Sequence, residues 1–277
     1  MEKLVLIDGN SLINRAFYAM PLLSSKDGVF TNAVYGFLNM LFKLVSEEKP
    51  SHLAVAFDVH APTFRHGLYS EYKGTRKPMP EELRPQIPLL KDILALMKIA
   101  CVEKAGLEAD DIIGTIAKKN AMQTVIFTGD RDSFQLVDSA TSVCFTRRGI
   151  TDTEIYTAEN FTEKTGIMPK QIIDLKALMG DASDNIPGIA GIGEKTALSL
   201  IEKYGSVENL YFHVEEIAGK LKEKIIAGKE SCFLSKTLAT IDTDADVPYD
   251  PELFRLSYPF PKEVKAKFIE LDFKSLY

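Results

Sequence analysis

LVLID, residues 4–8, is an apolar run that ends in a carboxylate, and the chain repeats this arrangement twice. The run AVAFD ends at Asp58, and the run VIFTGD ends at Asp130. Short apolar runs that are rich in β-branched residues predict strands buried on both faces. The strands that we predict on this basis span residues 4–7, 53–57, 124–127 and 142–145.

Longer segments with helical periodicity separate the predicted strands: Thr31–Glu47, Glu81–Lys98 and Asp110–Lys119. Strands that alternate with helices predict an α/β fold with a mostly parallel sheet flanked by helices on both faces. From about Ala158 onward the pattern is helix after helix, with breaks at glycines. We therefore predict an α/β core over residues 1–157 and a helical region over residues 158–277.

Composition restricts the class of protein. The 277 residues are 45% hydrophobic and 26% charged, enough to bury a sizeable core. No apolar run approaches the ~20 residues of a bilayer span, and the start MEKLVLIDGN does not resemble a signal peptide, so we expect a soluble cytoplasmic protein. Three scattered cysteines indicate neither a disulfide framework nor a zinc site. The net charge of -6 argues weakly against nucleic acid as a partner, unless bound cations reverse the local charge.

Nine carboxylates fall in five segments that the predicted fold could bring together. The carboxyl ends of parallel strands share one edge of a sheet, where ligands bind in open α/β folds. GLEADDIIG adds three acids at the start of a helix, and GDASD adds two acids three residues apart. A single aspartate in such a place is more often a cap. The nine residues are Asp8, Asp58, Glu108, Asp110, Asp111, Asp130, Asp132, Asp181 and Asp184.

If the five segments converge, electrostatic repulsion decides the chemistry. Two like charges ~4 Å apart cost about 4 kcal/mol at an effective dielectric constant of ~20, and nine exceed a domain's net stability of ~5–15 kcal/mol. The carboxyls must therefore take up protons or bind divalent cations. Oxygen ligands without clustered His or Cys favour Mg²⁺ or Mn²⁺, and the number of acids is sufficient for two-metal phosphodiester hydrolysis.

The segment NIPGIAGIGEKTALSLI predicts a helix-hairpin-helix over residues of about 180–204. Backbone N–H groups at a helix N-terminus bind phosphate without reading bases, and here Lys195 adds charge and Thr196 a hydroxyl. An ordinary helical turn with capping glycines is the alternative. The length of the motif GIxGIGxKTA favours the DNA-backbone interpretation.

The basic stretch, which we define as residues 62–85, interleaves cations with aromatic side chains. Arg65, Lys73, Arg76 and Lys77 alternate there with phenylalanine and tyrosine, a mixture suited to single-stranded phosphates and stacked bases. A solvated basic loop is the alternative, and the closeness of Asp58 in the sequence favours a functional role.

Taken in order over nearly the whole chain, five segments resemble the 5′ nuclease (flap endonuclease-like) family, and most of all the 5′-3′ exonuclease domains of bacterial DNA polymerases. These segments are LVLIDGNSLINRAFYA, AFDVHAPTFRHGLYSEYKGTRKPMPEEL, GLEADDIIGTIAKK, FTGDRDSFQLV and LMGDASDNIPGIAGIGEKTA. The resemblance implies a PIN-like core, a helical arch of about residues 64–98 over the active site, and a helix-three-turn-helix element for duplex DNA.

The resemblance also implies roles for individual residues. The first-metal group would be Asp8, Asp58, Glu108 and Asp110. The second-metal group would be Asp111, Asp130, Asp132, Asp181 and Asp184. Contacts to the 5′ strand and the scissile phosphate would come from Arg15, Arg65, Tyr72, Lys73 and Arg76, of which Lys73 and Arg76 would also serve catalysis. Contacts to duplex DNA, beside K⁺, would come from Gly191, Gly193, Lys195 and Thr196.

The expected function is Mg²⁺-dependent, structure-selective 5′-3′ exonuclease and 5′-flap endonuclease activity in primer removal and DNA repair, with two ions for which Mn²⁺ can substitute. The expected partner is branched, 5′-flap or RNA-primed DNA, bound by a monomer in the bacterial cytoplasm at the nucleoid, without a membrane. One alternative is a non-catalytic module that binds branched DNA. Another, a PIN-type endoribonuclease, needs fewer acids and gives no reason for the hairpin.

Overall fold

The computed structural model describes residues 2–276, and its centre is a six-stranded sheet. The strand order is β3-β2-β1-β4-β5-β6, in which the first five strands are parallel and β6 is antiparallel to β5. The strands are β1 Lys3–Asp8, β2 His52–Ala56, β3 Ala100–Val102, β4 Gln123–Thr128, β5 Thr141–Arg148 and β6 Asp152–Tyr156. The mostly parallel α/β sheet expected from the sequence is confirmed.

The four strands predicted from apolar runs are all present, and two further strands lie at the edges of the sheet. Strand β3 has three residues, too short for a periodicity to be read. Strand β6 has the sequence DTEIY, whose charges suit a half-exposed edge strand. The sequence criterion of a buried apolar run therefore identified the interior strands and missed the edges.

Within residues 2–276, twelve α-helices surround the sheet or follow it. The helices are α1 Gly9–Ala19, α2 Asn32–Glu48, α3 Phe64–Leu68, α4 Gln86–Leu96, α5 Ala109–Lys119, α6 Phe161–Thr165, α7 Gln171–Met179, α8 Glu194–Tyr204, α9 Val207–Phe212, α10 Gly219–Ala227, α11 Lys229–Ala239 and α12 Lys262–Glu270. Helix α1 was not predicted because it follows β1 without a loop, and Asp8 caps it directly.

Side chains alternate between two apolar layers, as successive residues of a strand must. Val5 and Ile7 of β1 face the layer formed with α1, α2, α4 and α12. Leu4 and Leu6 face the other layer, which includes α5 and extends through α7 and α8 as far as Ile225. The helical region therefore shares an apolar core with one face of the sheet.

The extent of the expected arch is corrected by the packing of α4. Leu90, Ile93 and Leu94 are fully buried against the layer that contains α2. Residues from 86 onward therefore belong to the core, because their apolar stripe packs there. The part of the expected arch that remains, residues 64–85, contains only the five-residue helix α3.

No helix within residues 2–276 has both the length and the apolar character that crossing a membrane would require.

Candidate active site at the carboxyl edge of the sheet

An open cleft of about 930 Å³ lies at the carboxyl ends of β1, β2 and β4. The segments that follow these strands contribute Asp8, Asp58 and Asp130 to its lining, and the start of α5 contributes Glu108 and Asp110. The topology brings them together because the carboxyl ends of parallel strands share one edge. Five of the nine predicted carboxylates therefore line one cleft.

Asp8 is held by both of its oxygens. Its Oδ1 accepts a hydrogen bond from the Ser11 backbone N–H at 2.9 Å, and its Oδ2 accepts one from the Thr128 hydroxyl at 2.8 Å. Burial, together with the charges of Asp58 and Asp130, raises the pKa of Asp8 to about 7. The Asp8 carboxylate is therefore fixed in place by two neutral donors, and no cation is among the groups that shift its pKa.

The tight connection from β1 to α1 depends on a glycine at position 9. A Cβ atom at Gly9 would lie 2.5 Å from the ring of Phe57 and 2.8 Å from the Ala56 carbonyl oxygen. Only glycine lets the chain turn from strand to helix this close to β2. Asp8 therefore lies beside the carboxyl end of β2, which Asp58 follows by two residues.

Asp58 and Asp130 combine a local capping role with a place in the cleft. Asp58 Oδ1 accepts a hydrogen bond from the Ala109 N–H at 2.7 Å, at the first residue of α5. Asp130 Oδ1 accepts one from the Asp132 N–H at 3.0 Å and caps a 3₁₀ turn. The capping interpretation of single aspartates is therefore correct for Asp130, whereas Asp58 binds the start of a helix whose own N-cap is Glu108. Neither role excludes a place in the cleft.

Asp110 has the least satisfied carboxylate of the cleft. Its Oδ1 is buried and has no hydrogen-bond partner among residues 2–276. Burial, and next the charges of Asp8, Asp130 and Asp132, raises the pKa of Asp110 well above its usual value. A buried anionic oxygen without a donor is costly, so this position favours a bound cation or a proton.

Glu108 and Asp184 are neutralised by the basic stretch. Lys73 Nζ lies 2.9 Å from Glu108 Oε1, and Arg76 Nη2 lies 2.5 Å from Asp184 Oδ1. The Tyr72 hydroxyl is 3.1 Å from an oxygen of each acid. Lys73 and Arg76 therefore reach the predicted catalytic centre, where they pair with carboxylates.

A second cleft of about 590 Å³ adjoins the first at Gly129 and Asp130 and extends to Gly193. Here the Lys176 ammonium bridges Asp132 and Asp181, with 2.5 Å to Asp181 Oδ2. Burial and the neighbouring Asp130 raise the pKa of Asp132 to about 7 despite this lysine. Burial would also raise the pKa of Asp181, but Lys176 and Ser183 lower it to about 2.

Sequence reasoning missed the residues that support the carboxylates. The Thr128 hydroxyl and the Ser11 backbone N–H hold Asp8, and neither a single threonine nor a backbone donor has a distinctive sequence spacing. Lys176 had a signal that could have been used, since it is the only basic residue of the mainly apolar helix QIIDLKALM. A cation on a buried helical face needs an anionic partner.

Asp111 and Arg65 do not take the positions expected of a metal ligand and a DNA contact. Their side chains form a bidentate ion pair with both N···O distances at 2.8 Å. Arg65 is 2% exposed and Asp111 is fully buried, away from both clefts. Arg65 in this position cannot touch a phosphate, and the second-metal group loses Asp111.

Tyr72 also differs from its expected role. It is 3% exposed, its ring packs edge-on against His66, and its hydroxyl points at Glu108 and Asp184. Burial, with the charges of those acids, raises the pKa of the Tyr72 phenol above its ordinary value, so it remains a hydrogen-bond donor. It therefore supports two acids and offers no face for stacking a base.

The donor chemistry of the site fits a hard divalent cation. Carboxylates from five segments line the two clefts, and Asp110 has an oxygen without a hydrogen-bond donor within residues 2–276. Within residues 2–276 no three carboxylate, imidazole or thiol groups are gathered tightly enough to bind one ion. Lys73, Arg76 and Lys176 pair with Glu108, Asp132, Asp181 and Asp184. The buried acids whose pKa is raised without a cation in contact are therefore Asp8 and Asp110.

The predicted hairpin joins α7 to α8. Gly193 precedes the first turn of α8, and Gly191 has a positive φ of 76°. Lys195 is exposed, Thr196 is half-buried, and the Lys224 ammonium donates a hydrogen bond to the Gly191 carbonyl at 3.1 Å. Lys224 was not singled out in the sequence because its helix lies far along the chain.

Arg15, which the sequence predicts to contact the 5′ strand, lines the first cleft. Its Nη1 donates a hydrogen bond to the Arg147 carbonyl at 3.0 Å, which holds the guanidinium at the rim.

Two family models match the chain in succession. A model described as the N-terminal resolvase-like domain of 5′-3′ exonucleases matches residues 3–166, and one described as the C-terminal SAM fold of 5′-3′ exonucleases matches residues 167–262. Among curated proteins, DNA polymerase I of Bacillus subtilis is 50% identical over 281 residues, covering 99% of this chain and 32% of that protein. DNA polymerase I of Caldicellulosiruptor bescii is 43% identical, covering 99% and 33%. The chain therefore spans about a third of the length of these relatives.

Solved structures share the fold. T5 5′-exonuclease with bound divalent metal ions (zinc) gives a TM-score of 0.70 at 24% identity and covers 87% of this chain and 90% of that one. The catalytic core of Rad2 in complex with DNA substrate gives a TM-score of 0.63 at 18% identity and covers 98% and 88%. At these identities the likeness establishes the architecture.

Proposed function

This chain belongs to the 5′-3′ exonuclease family, and from that premise we propose that it is a Mg²⁺-dependent, structure-selective nuclease that excises 5′-terminal nucleotides and cuts 5′ flaps of DNA. It would act on branched or RNA-primed DNA in primer removal and DNA repair. It would do so as a monomer in the bacterial cytoplasm, at the nucleoid. The observation that carries the proposal is the cleft at the strand ends, where Asp110 has a buried oxygen without a partner.

We assign the carboxylates to two ion positions by their place in the clefts. Residues that would hold the first ion are Asp8, Asp58, Glu108 and Asp110. Residues that would hold the second ion are Asp130, Asp132 and Asp181, with Asp110 near both. Asp184 lines neither cleft, and we include it because it pairs with Lys73 and Arg76, which line the first cleft. Two bound ions of this kind supply activation of the attacking water and charge stabilisation of the leaving 3′ oxygen, and Mn²⁺ could replace Mg²⁺.

The basic side chains would act on the phosphate once the acids are engaged elsewhere. Lys73 and Arg76 pair with Glu108 and Asp184 in this structure. When those acids are held by cations, the ammonium and guanidinium groups stand beside the clefts and can bind the negative charge of the scissile phosphate. Arg15 at the rim would guide the 5′ strand.

Duplex DNA would be held by the hairpin. The N-terminus of α8 would present its backbone N–H groups to the phosphates, and a K⁺ ion would lie beside them. The residues that would form this surface are Gly191, Gly193, Lys195 and Thr196. The second cleft extends from Asp130 to Gly193, so one bound strand could contact both. Such contacts read no bases, so affinity should be independent of sequence and fall steeply with salt.

The decisive experiment uses a labelled 5′-flap duplex with Mg²⁺ and, in parallel, with EDTA. We expect cleavage near the junction with Mg²⁺ alone. Equal cutting in both reactions, or none in either, contradicts the proposal. Preference for an RNA substrate over the DNA flap would support the endoribonuclease alternative.

A non-catalytic module for branched DNA is the second candidate, and one observation favours it. No three acids converge tightly within residues 2–276. Asp130→Ala separates the two functions. A nuclease loses at least about 100-fold in cleavage rate while keeping flap affinity, since one ligand of the ions is gone; a binding module keeps all of its activity.

A further inference from the structure

The guanidinium of Arg65 has no donor left for a ligand. An arginine has five N–H groups. The Nε donates to the Leu238 carbonyl at 2.9 Å, and Nη2 donates to the Thr240 carbonyl and to Asp111 Oδ1, both at 2.8 Å. The Nη1 donates to Asp111 Oδ2 at 2.8 Å and lies 3.5 Å from Glu108 Oε2. All five positions therefore face acceptors within the protein.

The carboxylate of Asp111 is equally saturated. Oδ1 accepts hydrogen bonds from Arg65 and from the Asp242 N–H at 2.9 Å. Oδ2 accepts hydrogen bonds from Arg65 and from the Glu108 N–H at 3.2 Å. A carboxylate has about four lone-pair sites, so four donors leave none for a metal ion.

These contacts join three parts of the chain that are distant in sequence. Arg65 lies in α3, at the start of the basic stretch; Asp111 lies in the first turn of α5; and residues 238–242 end α11 and follow it. The bond from Asp111 to the Glu108 N–H fixes the residue on which Lys73 and Tyr72 converge. The ion pair therefore stands directly behind the acids of the site.

We propose that Arg65 and Asp111 are positioning residues whose ion pair docks the basic stretch on α5, so that Lys73 and Arg76 are held at the scissile phosphate. The middle of the same stretch is fixed independently: the Lys73 N–H donates to the Asp184 carbonyl at 2.8 Å, and the Asn185 amide donates to the Glu71 carbonyl at 2.7 Å. These two anchors restrict the segment from Arg65 to Lys73, and Arg76 follows the second anchor by three residues. This inference rests on the proposed nuclease function.

The kinetic test compares Asp111→Asn and Arg65→Lys with wild type on the 5′-flap duplex. Displacing Lys73 and Arg76 from the scissile phosphate slows the chemical step. The single-turnover cleavage rate should therefore fall about 30- to 100-fold. The Kd for the flap, and the affinity for Mn²⁺ measured by electron paramagnetic resonance, should stay within about threefold. A loss of Mn²⁺ affinity as large as the loss of rate would make Asp111 a metal ligand and overturn the proposal.

Lys236→Met is the matched control. It breaks the ion pair of Lys236 with Asp174, which joins α11 to α7 at 2.8 Å and also involves a buried carboxylate. We expect lowered thermal stability with a cleavage rate within about threefold of wild type. If this variant slows cleavage as much as Asp111→Asn does, the effect is one of general stability.

A double variant tests the proposal without a buried unpaired charge, and a distance measurement locates the basic stretch independently of cleavage. Arg65→Met/Asp111→Leu removes the pair without leaving a buried charge, which is better tolerated than removing one partner. Spin labels at Leu68→Cys and Ser199→Cys, in a Cys101→Ser background, should give one narrow distance distribution in the parent and a broad one in the double variant. If the distance distribution of the double variant stays as narrow as that of the parent, the inference is overturned. If the protein without these two substitutions fails to cut the flap, only the proposed function is contradicted.

Discussion

At the scale of single residues, the strand-end aspartates serve the fold and the site together. Asp8, Asp58 and Asp130 each accept a backbone N–H at the start of a helix or turn, and each lines the cleft. An N-cap is worth about 0.5–2 kcal/mol. Replacing one of these aspartates therefore costs stability as well as activity, and the two effects must be measured separately.

The raised pKa values predict how the metal-free protein responds to pH. Burial and neighbouring acids raise the pKa of Asp8 and Asp132 from 3.8 to about 7. Between about pH 4 and about pH 7 the folded state binds more protons than the unfolded state, so stability falls as pH rises. In EDTA the Tm from calorimetry should decrease across this window.

Divalent ions should reverse this trend. Ions bind the ionised carboxylates, so with saturating Mn²⁺ the Tm should rise with pH over the same window. The pKa of Asp181 is lowered to about 2, so its contribution to stability increases with pH, and only below about pH 4. A Tm in EDTA that rises from pH 4 to pH 7 would contradict the raised pKa values of Asp8 and Asp132.

Asp110→Asn should separate stability from catalysis. The change removes a charge from a buried site where one oxygen has no donor. We expect the free energy of unfolding in EDTA to rise by about 1–3 kcal/mol and the Mg²⁺-dependent cleavage rate to fall at least about 100-fold. Urea denaturation and the flap assay measure the two quantities.

Asn14→Asp is the comparison for this prediction. Asn14 lines the same cleft, and its side-chain amide donates to the Asn10 carbonyl. A new acid there should lower stability in EDTA. If both variants shift stability in the same direction, the charge argument is wrong.

At the scale of elements, the hairpin between α7 and α8 depends on two glycines that touch. Gly188 has a φ of 61°, and a Cβ on it would lie 2.2 Å from the Gly180 backbone nitrogen. The Gly188 N–H also donates to the Ser235 hydroxyl of α11 at 2.9 Å. The turn that presents the α8 N-terminus can therefore form only with glycine here.

Gly188→Ala should disrupt the hairpin. Steric overlap with backbone, added to an unfavourable φ, predicts a loss of at least about 2 kcal/mol in the free energy of unfolding. Affinity for duplex DNA should fall with it, because the backbone donors of α8 move. Denaturation and fluorescence anisotropy measure both.

Gly205→Ala is the control for this change. Gly205 has a φ of 80° and ends α8, but a Cβ on it would meet no atom within 4 Å. It should lose only about 1 kcal/mol, the strain of the left-handed conformation alone, with duplex affinity unchanged. Equal losses in the two variants would show that close packing at Gly188 is unimportant.

The elements that the sequence predicted are those with strong periodicity and clear ends. Helix α2 spans Asn32–Glu48 against a predicted Thr31–Glu47, and α5 spans Ala109–Lys119 against Asp110–Lys119. The helix predicted from Glu81 begins at Gln86, because Pro85 stands directly before its first turn and Glu82 lies in a turn. Periodicity alone does not show where a turn gives way to a helix.

At the scale of the whole molecule, the sheet and the helical region share an apolar layer. Leu4 of β1, Ile113 of α5 and Leu178 of α7 belong to one continuous cluster that extends to Ile225. The clusters on the two faces of the sheet are joined through its strands. The parts matched by the two family models are therefore not separate in packing.

This packing predicts one cooperative unfolding transition. Differential scanning calorimetry in EDTA should show one peak whose calorimetric and van't Hoff enthalpies agree. Two resolved peaks, or a ratio of calorimetric to van't Hoff enthalpy well above one, would contradict the shared core. A fragment ending near residue 157 should fail to fold, since it exposes the apolar face that α7 and α8 cover.

Global topology explains how far the site could be predicted. The sequence indicated that strand-end acids gather, because parallel strands place their carboxyl ends on one edge. It could not indicate that Asp111 turns from this edge to Arg65, since the partner lies 46 residues away in α3. Spacing specifies which acids are close along the chain, whereas tertiary contacts decide which cation each one meets.

The strand order has a consequence for synthesis on the ribosome. Strand β1 is made early and lies at the centre of the sheet, but one of its two neighbours, β4, begins only at Gln123. After β2 has emerged, translation at about 5–20 residues per second delays β4 by roughly 3–13 s. During that interval an apolar strand edge is open to nascent-chain chaperones, and slower codons between the two strands would lengthen its exposure.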